Sequence, residues 1–316
     1  GLLMPHWPAP YGVGATSAEQ LTIDAELSRA GVTRPALGIG AWAAPTILRY
    51  GTDAQRERFV GPTLGGEITW CQLFSEPEAG SDLASLRTTA TKVDGGWRLT
   101  GQKVWTSLAR EADWAICLAR TDPAAPKHKG ITYFLVAMDT PGIEVRPLRE
   151  ITGAAVFNEV FLDEVYVPDD CVVGVPGDGW RLARTTLANE RVAMGEGSAL
   201  GETVEELLRL APGPSERLGG LVADGLALSL LGLRETLLRL RGDDPGAASS
   251  VRKLVGVAHR QEVAEAALEL LAESGAADGE QARQFLLTRC LSIAGGTTQI
   301  LLTVAAERVL GLPREP

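Results

Sequence analysis

The chain has 316 residues, 45% hydrophobic and 22% charged, which is a globular composition with length enough for one or two sizeable cores. Its formal charge of −10, with no run of basic residues, argues against a nucleic-acid footprint and leaves small molecules or other proteins as the expected partners. No apolar stretch reaches the roughly 18 residues of a membrane span, and Gly1-Leu2-Leu3-Met4-Pro5 lacks the pattern of a secretion signal, so a soluble, cytoplasmic protein is predicted.

The Pro- and Gly-rich opening through Gly14 reads as the interior of a protein, with a preceding helix missing. From Ser17 to about Phe59 the apolar residues recur at helical spacing. Ser17 and Thr52 or Asp53 are the predicted caps, and Gly31 and Gly51 the breaks. From Glu67 to about Pro176 short β-rich runs follow: Thr88–Val93, Trp97–Thr100, Ala115–Ala119 and Ile131–Val136. Asp94-Gly95-Gly96, Asp122-Pro123 and Pro141-Gly142 supply turn chemistry between them.

Past Gly179 the pattern turns helical again, over Trp180–Leu210, Ser215–Leu240, Ala247–Ala272 and Gly279–Leu310. These elements predict an α+β protein: a truncated N-terminal helical domain (residues 1–66), a central antiparallel β-barrel or sandwich (67–176) and a C-terminal antiparallel four-helix bundle (177–316).

Several common chemistries find no support. Cys71, Cys117, Cys171 and Cys290 lie far apart and match neither a metal-ligand spacing nor a redox pair, so they read as reduced thiols. His6, His128 and His259 are too dispersed to imply a Ser-His-Asp arrangement. The Gly174–Gly179 run lacks a Lys-Ser or Lys-Thr ending and reads as a linker turn. No metal site is predicted.

Three motifs carry more specific information. Ser75-Glu76-Pro77-Glu78-Ala79-Gly80-Ser81-Asp82 opens the β-region, Gly101-Gln102-Lys103-Val104-Trp105-Thr106-Ser107 lies within it, and Ala294-Gly295-Gly296-Thr297-Thr298-Gln299-Ile300 precedes Ala306-Glu307-Arg308-Val309-Leu310-Gly311. Read alone, the first is a capped turn and Trp105 a buried strand aromatic. In this order, over roughly residues 65 to 311, they resemble the signatures of the acyl-CoA dehydrogenase family.

The resemblance implies FAD-dependent α,β-dehydrogenation of an acyl-CoA thioester to the trans-2-enoyl-CoA, with electrons passing to an electron-transfer flavoprotein. It also implies where FAD is held. The backbone of Leu73, Phe74 and Ser75 and the Ser75 hydroxyl face the pyrimidine side, Trp105-Thr106-Ser107 lines the ring with Ser107 near N5, and Gly80 and Ser81 permit close approach. Thr297 and Gln299 are candidates for a flavin shared between subunits. A flat, largely apolar ring with a polar edge needs this mix of slot, aromatic and donors. Glu76 and Asp82 are expected to be structural, because turn carboxylates commonly hold loop N–H groups.

The reaction needs a carboxylate over Cα. In much of the family it is a Glu in the C-terminal loop, and here that position is Gly295. Relatives resembling isovaleryl- and long-chain acyl-CoA dehydrogenases carry the Glu on the first bundle helix instead, immediately before an Arg. This chain has Ala188-Asn189-Glu190-Arg191 there, so Glu190 is the predicted base, and Ser81, Arg191 and Gly295 are the predicted substrate contacts.

Two departures concern the FAD pyrophosphate and adenine. The family's Arg-Phe-Gly region reads Ala211–Gly219 here, and its Gln-x-x-Gly-Gly-x-Gly region reads Glu273–Gly279. A homo-oligomer, or a heteromer with a related subunit that supplies the missing contacts, is therefore expected. The alternatives are a noncatalytic or partner-dependent subunit and a flavin oxidase or monooxygenase on the same fold.

Overall fold

The computed structural model describes residues 1–195, 202–241, 243, 246–271 and 279–314, with the side chains of 190–195, 202, 203 and 239 outside that description. It divides into two units, Gly1–Glu190 and Arg191–Pro316, each with its own apolar core.

The first unit opens with three helices, α1 (Ser17–Arg29), α2 (Gly40–Tyr50) and α3 (Asp53–Gly65). Thr16 rather than Ser17 caps α1. Its hydroxyl accepts the Glu19 N–H while the Glu19 carboxylate accepts the Thr16 N–H, the reciprocal pairing that the Thr-x-x-Glu spacing allows. Thr52 and Gln55 pair in the same way at α3, which continues beyond the expected Phe59 to Gly65.

The strands are β1 (Trp70–Leu73), β2 (Thr89–Val93), β3 (Gly96–Ser107), β4 (Trp114–Arg120), β5 (Ile131–Ala137), β6 (Ile143–Pro147), β7 (Phe157–Pro168) and β8 (Val172–Val173). They form one eight-stranded sheet in the order β6-β7-β3-β2-β4-β5-β8, with β1 added beside β4. Asp94-Gly95 joins β2 to β3 with Val93 opposite Gly96, the hairpin its turn residues predict. The sheet is not wholly antiparallel, however. β1 runs parallel to β4 because the β2–β3 hairpin lies between them in sequence and carries the chain back, and β2 meets β4 in parallel at Thr89–Arg120.

The core of this unit sits between the helices and the sheet, around Ile47, Phe59, Leu73, Phe74, Tyr133 and Phe134. Each such side chain contributes about 1.5–3 kcal/mol by leaving water. Phe59 packs edge-on against Trp114 at 4.8 Å, which fixes α3 to the sheet. The helix α4 (Gly179–Gly195) leaves this unit with Leu182, Ala183 and Thr186 on its buried face. The Thr186 hydroxyl lies 2.8 Å from that of Thr46 on α2 and 3.1 Å from the Tyr133 hydroxyl on β5, so a buried hydroxyl chain ties α4 to both layers.

The second unit is helical, with α5 (Glu202–Leu210), α6 (Glu216–Leu240), α7 (Ala248–Leu271), α8 (Glu280–Thr288) and α9 (Thr298–Val304), the last followed by a π-turn through Val309. The expected Trp180–Leu210 helix is described as α4 and α5 on either side of residues 196–201, which lie outside the description. The expected Gly279–Leu310 helix is interrupted at the Gly295-Gly296 pair, where φ reaches 63° and 103°. Helix α7 packs against α5, α6, α8 and α9. Among the described residues no helix is long and apolar enough to cross a membrane.

Candidate active site

In the first unit the Ser75–Asp82 loop follows β1 and leans on the far half of β3. The Ser75 carbonyl accepts the Val104 N–H at 2.9 Å, so the first two motifs are adjacent. The loop begins with a closed turn in which Glu76 and Ala79 exchange backbone hydrogen bonds of 3.1 and 3.0 Å around Pro77-Glu78.

A buried ion pair fastens the two motifs together. Lys103 is fully buried, and its ammonium donates to the Glu76 carboxylate at 2.8 Å, the Leu118 carbonyl at 2.8 Å and the Phe74 carbonyl at 3.2 Å. Three donors thus meet three acceptors, which is full use of a lysine. The Glu76 carboxylate also accepts the N–H groups of Arg87 at 2.5 Å and Thr88 at 2.9 Å. Burial alone would raise the Glu76 pKa; the Lys103 charge and the hydrogen bonds from Lys103, Thr88 and Arg87 outweigh it and hold the group below its ordinary value.

Glu76 therefore stays ionised and has the structural role expected of it. Asp82 is similar: hydrogen bonds from Lys127 and Ser85 lower its pKa, and it braces the end of the loop. Gly101 completes the junction, because a Cβ there would lie 2.4 Å from the Thr88 hydroxyl and 2.7 Å from Thr88 Cα.

Beyond Lys103 the pairing of β3 with β7 slips, with a register shift between Lys103 and Thr106. Trp105 sits in this irregularity at φ 61°, and its side chain is 62% exposed, edge-on to Phe157 at 6.1 Å. Leu108, three residues on, also has positive φ at 55°. Positive φ in two bulky residues this close together is costly and persists only where neighbours enforce it. Asn158 on β7 is one such neighbour. It is buried, and its side-chain N–H groups bind the Thr106 carbonyl at 3.0 Å and the Val156 carbonyl at 3.2 Å.

The site residues expected from the sequence are distributed as follows. Leu73 and Phe74 have buried side chains, so only their backbone is open to a ligand role, and the Phe74 carbonyl is already bound by Lys103. Ser75 and Ser107 are half-buried, and Gly80 and Ser81 are exposed. Thr106 faces inward, opposite Trp105, with a buried hydroxyl that has no hydrogen-bond partner among the described residues. Glu190 and Arg191 belong to α4 by backbone, and their side chains lie outside the described residues.

In the second unit Gly295 and Gly296 occupy the turn before α9. Thr297 caps that helix, its hydroxyl accepting the Ile300 N–H at 3.2 Å, and Gln299 is exposed. Of the two departing stretches, residues 273–278 lie outside the description, and Ala211–Ser215 forms the link between α5 and α6. Among the described residues no group of His, Cys, Asp or Glu is arranged to hold a metal ion.

Sequence reasoning missed Lys103, Asn158 and Lys253 of α7, which binds the Gly295 loop. Lys103 and Asn158 carried a usable signal. Each is a polar residue at an inward position of a strand that otherwise alternates, a placement that requires a buried partner.

Family models agree with this architecture. The acyl-CoA dehydrogenase N-terminal, middle and C-terminal domain models match residues 1–67, 71–165 and 177–310. Acyl-CoA dehydrogenase FadE34 of Mycobacterium tuberculosis is 65% identical over 320 residues, covering 99% of this chain, although the chain spans only 45% of that relative's length. Acyl-CoA dehydrogenase IpdE1 of the same organism is 38% identical over 331 residues, covering all of this chain and 86% of IpdE1. Among solved structures, the Tcur3481-Tcur3483 steroid ACAD superposes with a TM-score of 0.87 at 28% identity, over 99% of this chain and 86% of that one. The ChsE4-ChsE5 complex from Mycobacterium tuberculosis does so with a TM-score of 0.82 at 30% identity, over 99% and 87%. Motifs, architecture and matches along the whole of this chain agree, and the chain belongs to the acyl-CoA dehydrogenase family.

Proposed function

We propose that this chain carries out the FAD-dependent α,β-dehydrogenation of an acyl-CoA thioester, with Glu190 receiving the α-proton. The observation that carries the reading is the locked junction of the first two motifs, in which the Glu76–Lys103 pair fixes the Ser75 loop against the strand that holds Trp105 outward.

The residues present fit a flavin. Among the described residues a Cβ on Gly80 would meet nothing within 4 Å, so their packing does not require glycine there, whereas close approach of a ligand would. The exposed Trp105 offers an aromatic face, and the half-buried Ser75 and Ser107 offer hydroxyl donors. Bound FAD supplies a two-electron acceptor for the hydride leaving Cβ. Thr297 and Gln299 are assigned to the same cofactor, shared between subunits.

The protein's own part is to orient the thioester and move one proton. The sequence supports Glu190 for that step: it stands immediately before Arg191 on α4, and Gly295 offers no competing carboxylate. Desolvation by an incoming acyl chain would raise the proton affinity of that carboxylate. The Gly295 N–H receives the thioester oxygen as enolate charge develops, with Ser81 and Arg191 ordering the remaining substrate.

The partner-dependent reading is also favoured by specific observations. FadE34 is more than twice the length this chain matches, both structural neighbours named above carry two-component names, and the pyrophosphate motifs are absent from the sequence. On α6, Leu226, Leu230, Leu233, Leu237 and Leu240 are exposed at alternating spacings of four and three, the stripe that packs against another helix. We assign it to a subunit interface. Leu230→Glu with Leu237→Glu is expected to reduce the native mass to that of the single chain while retaining helical circular dichroism; an unchanged mass would remove the assignment.

The steroid named for one neighbour favours a ring-bearing acyl group as substrate, and an electron-transfer flavoprotein is the proposed acceptor. Anaerobic titration with acyl-CoA thioesters of linear, branched and ring-bearing chains tests the function. Loss of the visible flavin band with one class is the expected result. A colourless protein, alone and in its native complex, would leave a noncatalytic role; bleaching only by a pyridine nucleotide would indicate a monooxygenase, and bleaching by the thioester followed by rapid oxygen uptake once air is admitted would indicate an oxidase.

A further inference from the structure

Among the described residues the Gly295 loop is gripped from one side by a lysine. Lys253 on α7 donates to the carbonyl of Ala294 and, at 2.9 Å, to that of Gly296, the two residues flanking Gly295. Upstream, Arg289 pairs with Glu265 of the same helix at 2.8 Å, and Gln261 of α7 donates to the Thr288 carbonyl at 3.0 Å, so the approach to the loop rests on α7 as well.

The direction of the grip matters chemically. The peptide bonds of this loop are trans, so the C=O and N–H of each unit point to opposite sides. With the Ala294 C=O held toward Lys253, the Gly295 N–H must face away from it. Holding the Gly296 C=O likewise turns the Thr297 N–H away. Two peptide donors are thereby aimed to one side of a loop whose φ values of 63° and 103° are open only to glycine without strain. A cation on the carbonyl side also polarises the amide and makes its N–H a stronger donor.

We infer that Lys253 is a positioning residue for thioester activation: it fixes the direction of the Gly295 N–H and raises its donor strength toward the substrate oxygen. The inference rests on the acyl-CoA reading proposed above. Lys253 touches neither substrate nor reacting atoms in this role, and its effect passes through the Ala294–Gly295 peptide.

The test uses an acyl-CoA in which sulfur replaces Cβ, a probe that can lose its α-proton but has no β-hydride to give. Its deprotonation is followed by absorbance against pH in the native holo-complex. Wild-type protein should lower the α-proton pKa of the bound probe well below its value in solution. Lys253→Met should raise that bound value by about one unit, tenfold in the equilibrium. With a true substrate the same variant should lower kcat about tenfold or more and change KM less than about threefold, because the interaction strengthens mainly as enolate charge develops. Lys253→Arg, which keeps the charge and the two donors, should recover most of the effect.

Folded Lys253→Met with wild-type acidification of the probe would overturn the inference while leaving the acyl-CoA reading intact. If Lys253→Met does not fold, Lys253→Gln serves in its place: it keeps a donor without the charge, and wild-type acidification by it would overturn the claim that the charge matters. A wild-type complex that binds the probe without acidifying it would overturn the reading itself, and this inference with it.

Discussion

Lys103→Met is expected to destabilise the first unit by about 3–5 kcal/mol, because it leaves the Glu76 carboxylate buried with its counter-charge gone. In a unit of this size that corresponds to a fall of about 10 °C in the melting midpoint, read by calorimetry. The pH dependence gives the loss a signature. In wild type the Glu76 pKa lies below its ordinary value, so its contribution is complete above that ordinary value and fades only as pH falls through the depressed one. Without Lys103, burial dominates and the folded pKa rises above the unfolded one. The variant then recovers stability as acidification protonates Glu76, and its deficit against wild type should narrow from pH 7 toward pH ~4–5. Lys103→Met with Glu76→Gln should be less damaged than Lys103→Met alone at neutral pH; a double variant worse than both singles would contradict this role for the pair. Because the pair joins two cofactor motifs, Lys103→Met should also release FAD at lower temperature than wild type.

Glu190→Gln is expected to lower kcat by about a hundredfold to ten-thousandfold, the range for removing a positioned general base. Gln has nearly the shape of Glu, so FAD content and acyl-CoA affinity should stay within about threefold of wild type. The acid limb of the kcat–pH profile, set in wild type by protonation of the base, should vanish from the residual activity. Thr186 lies one helical turn before Glu190 and binds Thr46, so the α4 backbone at this position is tied to a rigid layer. Retained turnover in Glu190→Gln would reject the assignment, and a large rise in KM with unchanged kcat would make Glu190 a binding residue instead.

Much of the architecture was legible because local rules and tertiary structure agree. The two-residue Asp94-Gly95 turn, the Thr52 cap and the Leu/Ala-rich helical runs of α6 and α7 are determined over a few residues and emerge within one or two positions of expectation. β1, β6, β7 and β8 were not foreseen. β1 has four residues, and Asp163 and Glu164 interrupt the apolar alternation of β7 where it turns out to solvent.

Trp105 marks the limit of period-two reasoning. Trp97, Leu99 and Lys103 share one parity and are buried, and Trp105 has the same parity, so an unbroken strand would bury it too. The register shift after Lys103 reverses the faces, turning Trp105 outward and Thr106 inward. Only the resemblance of the whole motif implied an outward ring. Lys253 was illegible for another reason: its partners are backbone carbonyls some forty residues away, and carbonyls carry no sequence signature.

The central claim is that Glu190 delivers a carboxylate to the α-carbon of a bound acyl-CoA. A crystal structure of the native assembly with FAD and a non-oxidisable acyl-CoA analogue tests it most directly. The account predicts a Glu190 carboxylate oxygen within about 3–3.5 Å of Cα, on the side of the acyl chain away from the flavin. Glu190 directed into solvent, or another carboxylate poised over Cα, would contradict it.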